Sequence, residues 1–152
     1  MRVNWKKLLL FIAIPLAVGG LSALLSGGMD INYIQPPLSP PGWVFAVVWP
    51  ILYGLMGWAS YLVAEAPGEK KKALWLYAAQ LFVNFLWSIV FFRFDSVVGA
   101  LLLLVLLWVL VLLTIRAFGD VSERASDLLI PYILWLSFAL YLNLGIFILN
   151  PL

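Results

Sequence analysis

The chain has 152 residues, 65% hydrophobic and only 11% charged, with mean hydropathy +1.08 and a formal net charge of +2. Soluble domains carry roughly a quarter charged residues, so this composition excludes one, and the length allows a single domain. With no cysteine and no histidine, disulfides, thiol nucleophiles, iron–sulfur ligation, Cys/His zinc sites and histidine-ligated haem are excluded.

The charges cluster at Arg2–Lys7, Asp30, Glu65–Lys72, Arg93–Asp95 and Arg116–Asp127. Between them lie uncharged stretches 8–29, 31–64, 73–92, 96–115 and 128–152. Each reaches the roughly 20 apolar residues that a helix needs to cross the hydrocarbon core. The expectation is an all-α membrane protein, a five-transmembrane-helix bundle. A β-barrel alternates apolar and polar residues in strands of about 10, whereas Leu101–Leu113 is continuously apolar.

The first helix is predicted over Lys6–Leu25, with Pro15 inside it. Its Arg2, Lys6 and Lys7 followed by an apolar run resemble a signal peptide. The run outlasts a typical h-region and no A-x-A site follows, so a retained helix is expected. After Ser26-Gly27-Gly28 comes a loop centred on Gln35-Pro36-Pro37-Leu38-Ser39-Pro40-Pro41-Gly42. Its prolines forbid a helix, and a stiff apolar loop packed over helix ends is expected.

The second helix is predicted over Gly42–Ala64. The third is predicted over Ala73–Phe92, after a Pro67-Gly68 turn. The short turn Arg93-Phe94-Asp95 makes it an antiparallel neighbour of the fourth, Ser96–Ile115, which is nearly all Leu and Val and reads as a lipid-facing or packing wall. Arg116–Asp127 reads as a solvated loop, and the fifth helix as Asp127–Asn150. Arg2, Lys6, Lys7, Lys70, Lys71, Lys72, Arg116 and Arg124 fall on one side and only Arg93 on the other. The positive-inside rule then predicts a cytoplasmic N-terminus and an outside C-terminus. The net charge gives no reason to expect a nucleic-acid partner.

No charged residue lies within a span, which argues against ion-coupled transport and against acid–base catalysis in the membrane. Neutral polar and aromatic residues instead form three stripes. Phe45, Trp49, Tyr53 and Gly57 recur every four residues on the second helix. Gln80, Asn84, Trp87, Ser88 and Phe91 share a face of the third, and Tyr132, Trp135, Ala139 and Asn143 a face of the fifth. An amide in hydrocarbon must find hydrogen-bond partners, so Gln80, Asn84 and Asn143 should face inward. Aromatic walls holding a few directed polar groups suit a large, flat, mostly apolar ligand. Polar residues also glue helices together, so periodicity alone leaves a ligand site and a packing seam both open.

Several of these segments resemble the tryptophan-rich sensory protein/translocator protein family (TspO/MBR), as a bacterial-type member. Pro40-Pro41-Gly42-Trp43-Val44-Phe45, Trp49, Leu52-Tyr53 and Met56 through Val63 look like its second helix. Gln80-Leu81, Asn84 through Trp87 and Phe91-Phe92 look like its third. Leu129, Pro131-Tyr132, Trp135, Phe138-Ala139 and Leu142-Asn143 look like its fifth. The resemblance runs from about Pro36 to Asn150, and the whole of 1–152 is expected to be one such domain.

The resemblance implies a five-helix bundle, commonly a homodimer in a bacterial cell membrane, that binds porphyrins and other hydrophobic heteroaromatic ligands. Its pocket residues carry over to Trp49, Asn84, Trp135 and Ala139, with Phe45, Tyr53, Trp87 and Phe138 as neighbours; Gln80 and Asn143 join them from the stripes. It implies no resident cofactor or metal. An alternative activity, porphyrin breakdown driven by light and oxygen, would involve Trp49 and Trp135. A structural protein without a dedicated ligand is the third reading.

Three departures stand out. Gln35 and Leu38 replace the family's frequent loop Lys and Trp. No Lys or Arg follows Tyr141, so no dedicated sterol site is expected there. Trp75 precedes Ala79 on the usual small-residue dimer seam, which moves the expected seam to a face such as Gly19/Ala23 or Ala46/Gly54.

Overall fold

The computed structural model describes residues 2–28 and 30–151. Its helices are α1 (Trp5–Leu25), α2 (Gly42–Glu65), α3 (Lys71–Ser88), α4 (Val97–Val121), α5 (Glu123–Leu128) and α6 (Ile130–Leu149). A π-helical turn, Ile89–Arg93, continues α3, and α5 and α6 form one span broken at Leu129. Among the described residues, five helical spans of 21 to 27 residues are therefore long and apolar enough to cross a membrane. At 1.5 Å per residue the shortest is about 32 Å, which matches the hydrocarbon thickness.

Helix starts are capped by side chains. Asn4 Oδ1 accepts the Lys7 N–H at 3.2 Å, Ser96 Oγ that of Gly99 at 3.0 Å, and Ser122 Oγ that of Ala125 at 3.3 Å. At the C-terminus of α2 the Lys70 ammonium donates to the Ala64 and Ala66 carbonyls, both at 2.8 Å. A cation there complements the helix dipole. Lys7 and Glu65 form an ion pair at the same end of the bundle.

The helices close a ring in the order α1, α2, α5–α6, α4, α3. Pro15 cannot donate to the Phe11 carbonyl one turn back, and α2 packs against α1 there. A Cβ on Gly57 would overlap Ile12 Cα and stand 2.6 Å from the Phe11 oxygen, so only glycine permits this approach. Ser22 and Ser26 of α1 meet Ser88 of α3 at 3.1 and 2.6 Å, a hydroxyl cluster that joins these helices. The core fills with Met56, Ala59, Val63, Leu104, Leu107, Val111, Phe118 and Leu136. As expected of a packing wall, α4 buries Leu104, Leu107 and Val111 while Leu102, Val105 and Leu106 face outward.

One expectation is corrected. Arg116–Asp127 is not a solvated loop: α4 runs on to Val121, α5 begins at Glu123, and Phe118 and Ala125 are fully buried. Arg116 and Asp120 occupy the exposed face of the extension, so its charges mark an amphipathic helix end. A Cβ on Gly19 would stand 2.6 Å from Tyr53 Cζ. The small size of Gly19 is used within the protomer, against the α2 aromatic stripe.

The connection between α1 and α2 lies against α6. The Asn150 carboxamide pairs with the Ile34 backbone, donating to its carbonyl at 2.8 Å and accepting its N–H at 3.0 Å. Tyr141 donates to the Pro37 carbonyl at 2.6 Å. A Cβ on Gly145 would stand 2.6 Å from Pro36 Cβ. Tyr33 donates to the Asp95 carboxylate in the α3–α4 turn. This bond and the neighbouring negative charge raise the Tyr33 hydroxyl pKa above the ordinary value of 10.0.

Candidate functional site

The three stripes converge. Tyr53 of α2 donates to Asn84 Oδ1 of α3 at 2.9 Å, and Asn84 Nδ2 donates to the Tyr132 hydroxyl of α6 at 2.7 Å. Tyr132 in turn donates to Gln80 Oε1 at 2.8 Å, and the Gln80 amide reaches Met56 Sδ at 3.8 Å. Every donor in this chain points the same way, from α2 through α3 and α6 back to α3 and α2. Gln80, Asn84 and Tyr132 are all buried, so the network satisfies groups that hydrocarbon would leave unpaired.

Aromatic rings wrap the network. Trp49 stacks on Tyr53 at 5.5 Å between centroids and meets Tyr132 edge-on at 6.4 Å. Trp135 meets Phe45 edge-on at 5.6 Å and Phe138 at 5.6 Å. Each of these pairs falls within the separations at which ring quadrupoles attract. Two ring groups result: Trp49 with Tyr53 and Tyr132 on the network that holds Gln80 and Asn84, and Trp135 with Phe45 and Phe138, Trp135 packing on the same core in which Ala139 is buried.

Trp87 packs on the same core, but it and Asn143 hydrogen-bond outside that network. They bond each other, Trp87 Nε1 to Asn143 Oδ1 at 3.1 Å, and Asn143 Nδ2 donates to the Val97 carbonyl at 3.2 Å. Trp87 also stacks on Phe91 at 5.6 Å. This second cluster lies toward the end of the bundle that carries the α1–α2 connection. Tyr132 is the hub that the sequence reading placed in a stripe but left out of the site; its hydroxyl meets both amides of α3.

Trp135 has a particular status. Its indole Nε1 is buried yet has no hydrogen-bond partner, as is true of the Tyr77 hydroxyl. An unmade buried hydrogen bond costs about 1–3 kcal/mol, so this donor is available to an acceptor brought by a ligand. The Trp135 ring also lines an apolar groove of about 450 Å³ between α2 and α6, bounded by Val48, Ile51 and Leu55 on one side and Leu134 and Phe138 on the other. Its size falls in the range of small-molecule sites. The remaining tryptophans divide by depth: Trp5, Trp43, Trp58 and Trp75 are exposed on the bundle surface, and Trp108 donates to Ser137 Oγ at 2.9 Å.

Comparison with known proteins gives the family. The model of the TspO/MBR family matches residues 11–149. The chain is 43% identical to the tryptophan-rich protein TspO of Chlorobaculum tepidum, over 78% of this chain and 77% of that protein. It is 36% identical to the tryptophan-rich sensory protein of Cereibacter sphaeroides, over 94% and 90%. It is also 36% identical to the translocator protein of Bos taurus, over 94% and 89%. A match over nearly the whole chain, with five spans and tryptophans meeting amides in the bundle interior, makes this multi-pass membrane protein a member of the TspO/MBR family.

Proposed function

We propose that this protein binds porphyrins and other flat hydrophobic ligands inside the bundle, as a membrane receptor or transporter. The carrying observation is the ring wall of Phe45, Trp49, Tyr53, Trp135 and Phe138 around the Asn84–Tyr132 network, with the Trp135 N–H unpartnered. The walls supply stacking faces and that N–H supplies direction. With no histidine in the chain, the ligand is held by stacking and by amide or indole hydrogen bonds, so free-base protoporphyrin suffices. Names of relatives as translocator and sensory proteins agree with a ligand-handling role.

The basic residues put the N-terminus in the cytoplasm and the α1–α2 connection outside a cell membrane. A homodimer would use the Ala46/Gly54 face of α2, where Ala46 is exposed and a Cβ on Gly54 would meet nothing within 4 Å. Titrating protoporphyrin into the purified protein and following indole fluorescence tests the binding. Saturable quenching is expected; quenching that grows linearly, as in empty micelles, rejects it.

A further inference from the structure

The geometry points to the α2–α6 groove as a side port, through which a flat apolar ligand dissolved in the bilayer reaches the aromatic interior. It rests on the ligand assignment above. Three other approaches to the interior site are closed. At the end carrying the α1–α2 connection, Pro36 sits on Gly145, Tyr141 holds the Pro37 carbonyl, and Asn150 holds Ile34 by two hydrogen bonds. At the opposite end, the buried side chains of Tyr77, Phe118 and Leu129 fill the bundle. α1 closes onto α2 through Gly19 and Gly57, which leave no room even for a methyl group.

Between α2 and α6 an open groove meets the site wall at Trp135. Ile51 and Leu134 form its lips, 58% and 64% exposed. Ile51 lies nine residues into α2, about 14 Å from its start at 1.5 Å per residue, so the mouth opens within the hydrocarbon. Trp135 belongs to both spaces: its ring lines the groove and touches Phe45 and Phe138 of the site. The lining is apolar, and its unpartnered indole N–H is the polar group a ligand carbonyl or ring nitrogen would meet on passing inward. A molecule that partitions into hydrocarbon arrives at this mouth already dehydrated, and no loop bond has to break.

Rapid mixing with free-base protoporphyrin in lipid nanodiscs, read at the porphyrin absorbance band, tests the port. Ile51→Trp and Leu134→Trp narrow its mouth at exposed positions; Leu102→Trp on the outer face of α4 controls for an added indole. Narrowing a port slows entry and exit together, so each lip variant should lose about tenfold in both rates while Kd stays within about threefold. Asn150→Ala and Tyr141→Phe, which loosen the connection, should leave both rates within about twofold. Lip variants that associate at the wild-type rate, or loosened variants that associate tenfold faster, would overturn the port and leave the binding site standing. Wild-type protein that shows no saturable binding would instead overturn the ligand assignment itself, and the port with it.

Discussion

The Asn84 carboxamide donates to the Tyr132 hydroxyl at 2.7 Å and accepts from Tyr53 at 2.9 Å, so one side chain on α3 ties α2 to α6. Asn84→Ala deletes both bonds and leaves the Tyr53 hydroxyl without a partner, while Tyr132 keeps its bond to Gln80. Interhelical hydrogen bonds in membranes average about 0.6 kcal/mol, with a maximum of about 1.7. A loss of about 1–3 kcal/mol is expected once the unpaired Tyr53 hydroxyl is included, seen as a lowered unfolding midpoint in detergent. Tyr53→Phe removes one bond and should cost less.

Gly57 and Gly54 provide a matched pair. A Cβ at Gly57 meets the backbone of α1, whereas one at Gly54 meets nothing within 4 Å. Gly57→Leu should destabilise by about 1–3 kcal/mol, as overpacking does where no side chain can yield. Gly54→Ala should be neutral or slightly stabilising, since alanine is the better helix former. Thermal denaturation of the two variants in parallel checks the contrast.

Much of this fold is legible in the sequence, for physical reasons that differ by element. Hydrocarbon demands long uncharged helices, so spacing between Lys7, Asp30, Glu65 and Arg93 is enough to place α1, α2 and α3. The same reasoning fails at Arg116, because a charge ends the membrane-embedded part of a helix without ending the helix. The stripe residues Gln80, Asn84 and Tyr132 announce inward faces, since buried amides must be paired. What periodicity does not carry is partner choice. Asn143 bonds Trp87 and not the Tyr132 network, and Gly19 receives the Tyr53 ring of its own chain. Ser22 and Ser26, small polar residues in an apolar run, carry too weak a pattern to reveal their meeting with Ser88.

The Tyr33–Asp95 bond should hold the α1–α2 connection at neutral pH. Because the Tyr33 pKa is raised in the folded protein above its ordinary 10.0, the bond's contribution is full below about pH 10 and fades as pH rises through the folded value. Asp95→Asn removes the negative charge and should bring the Tyr33 titration back toward the ordinary value. Comparing ultraviolet tyrosinate titrations of Asp95→Asn and Tyr33→Phe with wild type isolates this hydroxyl.

Trp135→Phe separates a ligand site from a packing seam by sign. Deleting an unpartnered buried N–H returns about 1–3 kcal/mol, against some lost ring area. The ligand-free variant should therefore melt at or above the wild-type temperature, while protoporphyrin affinity falls by about tenfold, equivalent to about 1.4 kcal/mol. Melting temperature and titration on the same preparation give both readings.

The central claim is that the rings around the Asn84–Tyr132 network hold the ligand. Its most direct measurement is the protoporphyrin dissociation constant of wild type, Trp49→Ala and Asn84→Ala in one membrane mimetic. Trp49→Ala removes the ring stacked on Tyr53, and Asn84→Ala removes the amide that positions both phenols. Each should weaken binding by about tenfold or more. Unchanged affinity in both variants would contradict the claim.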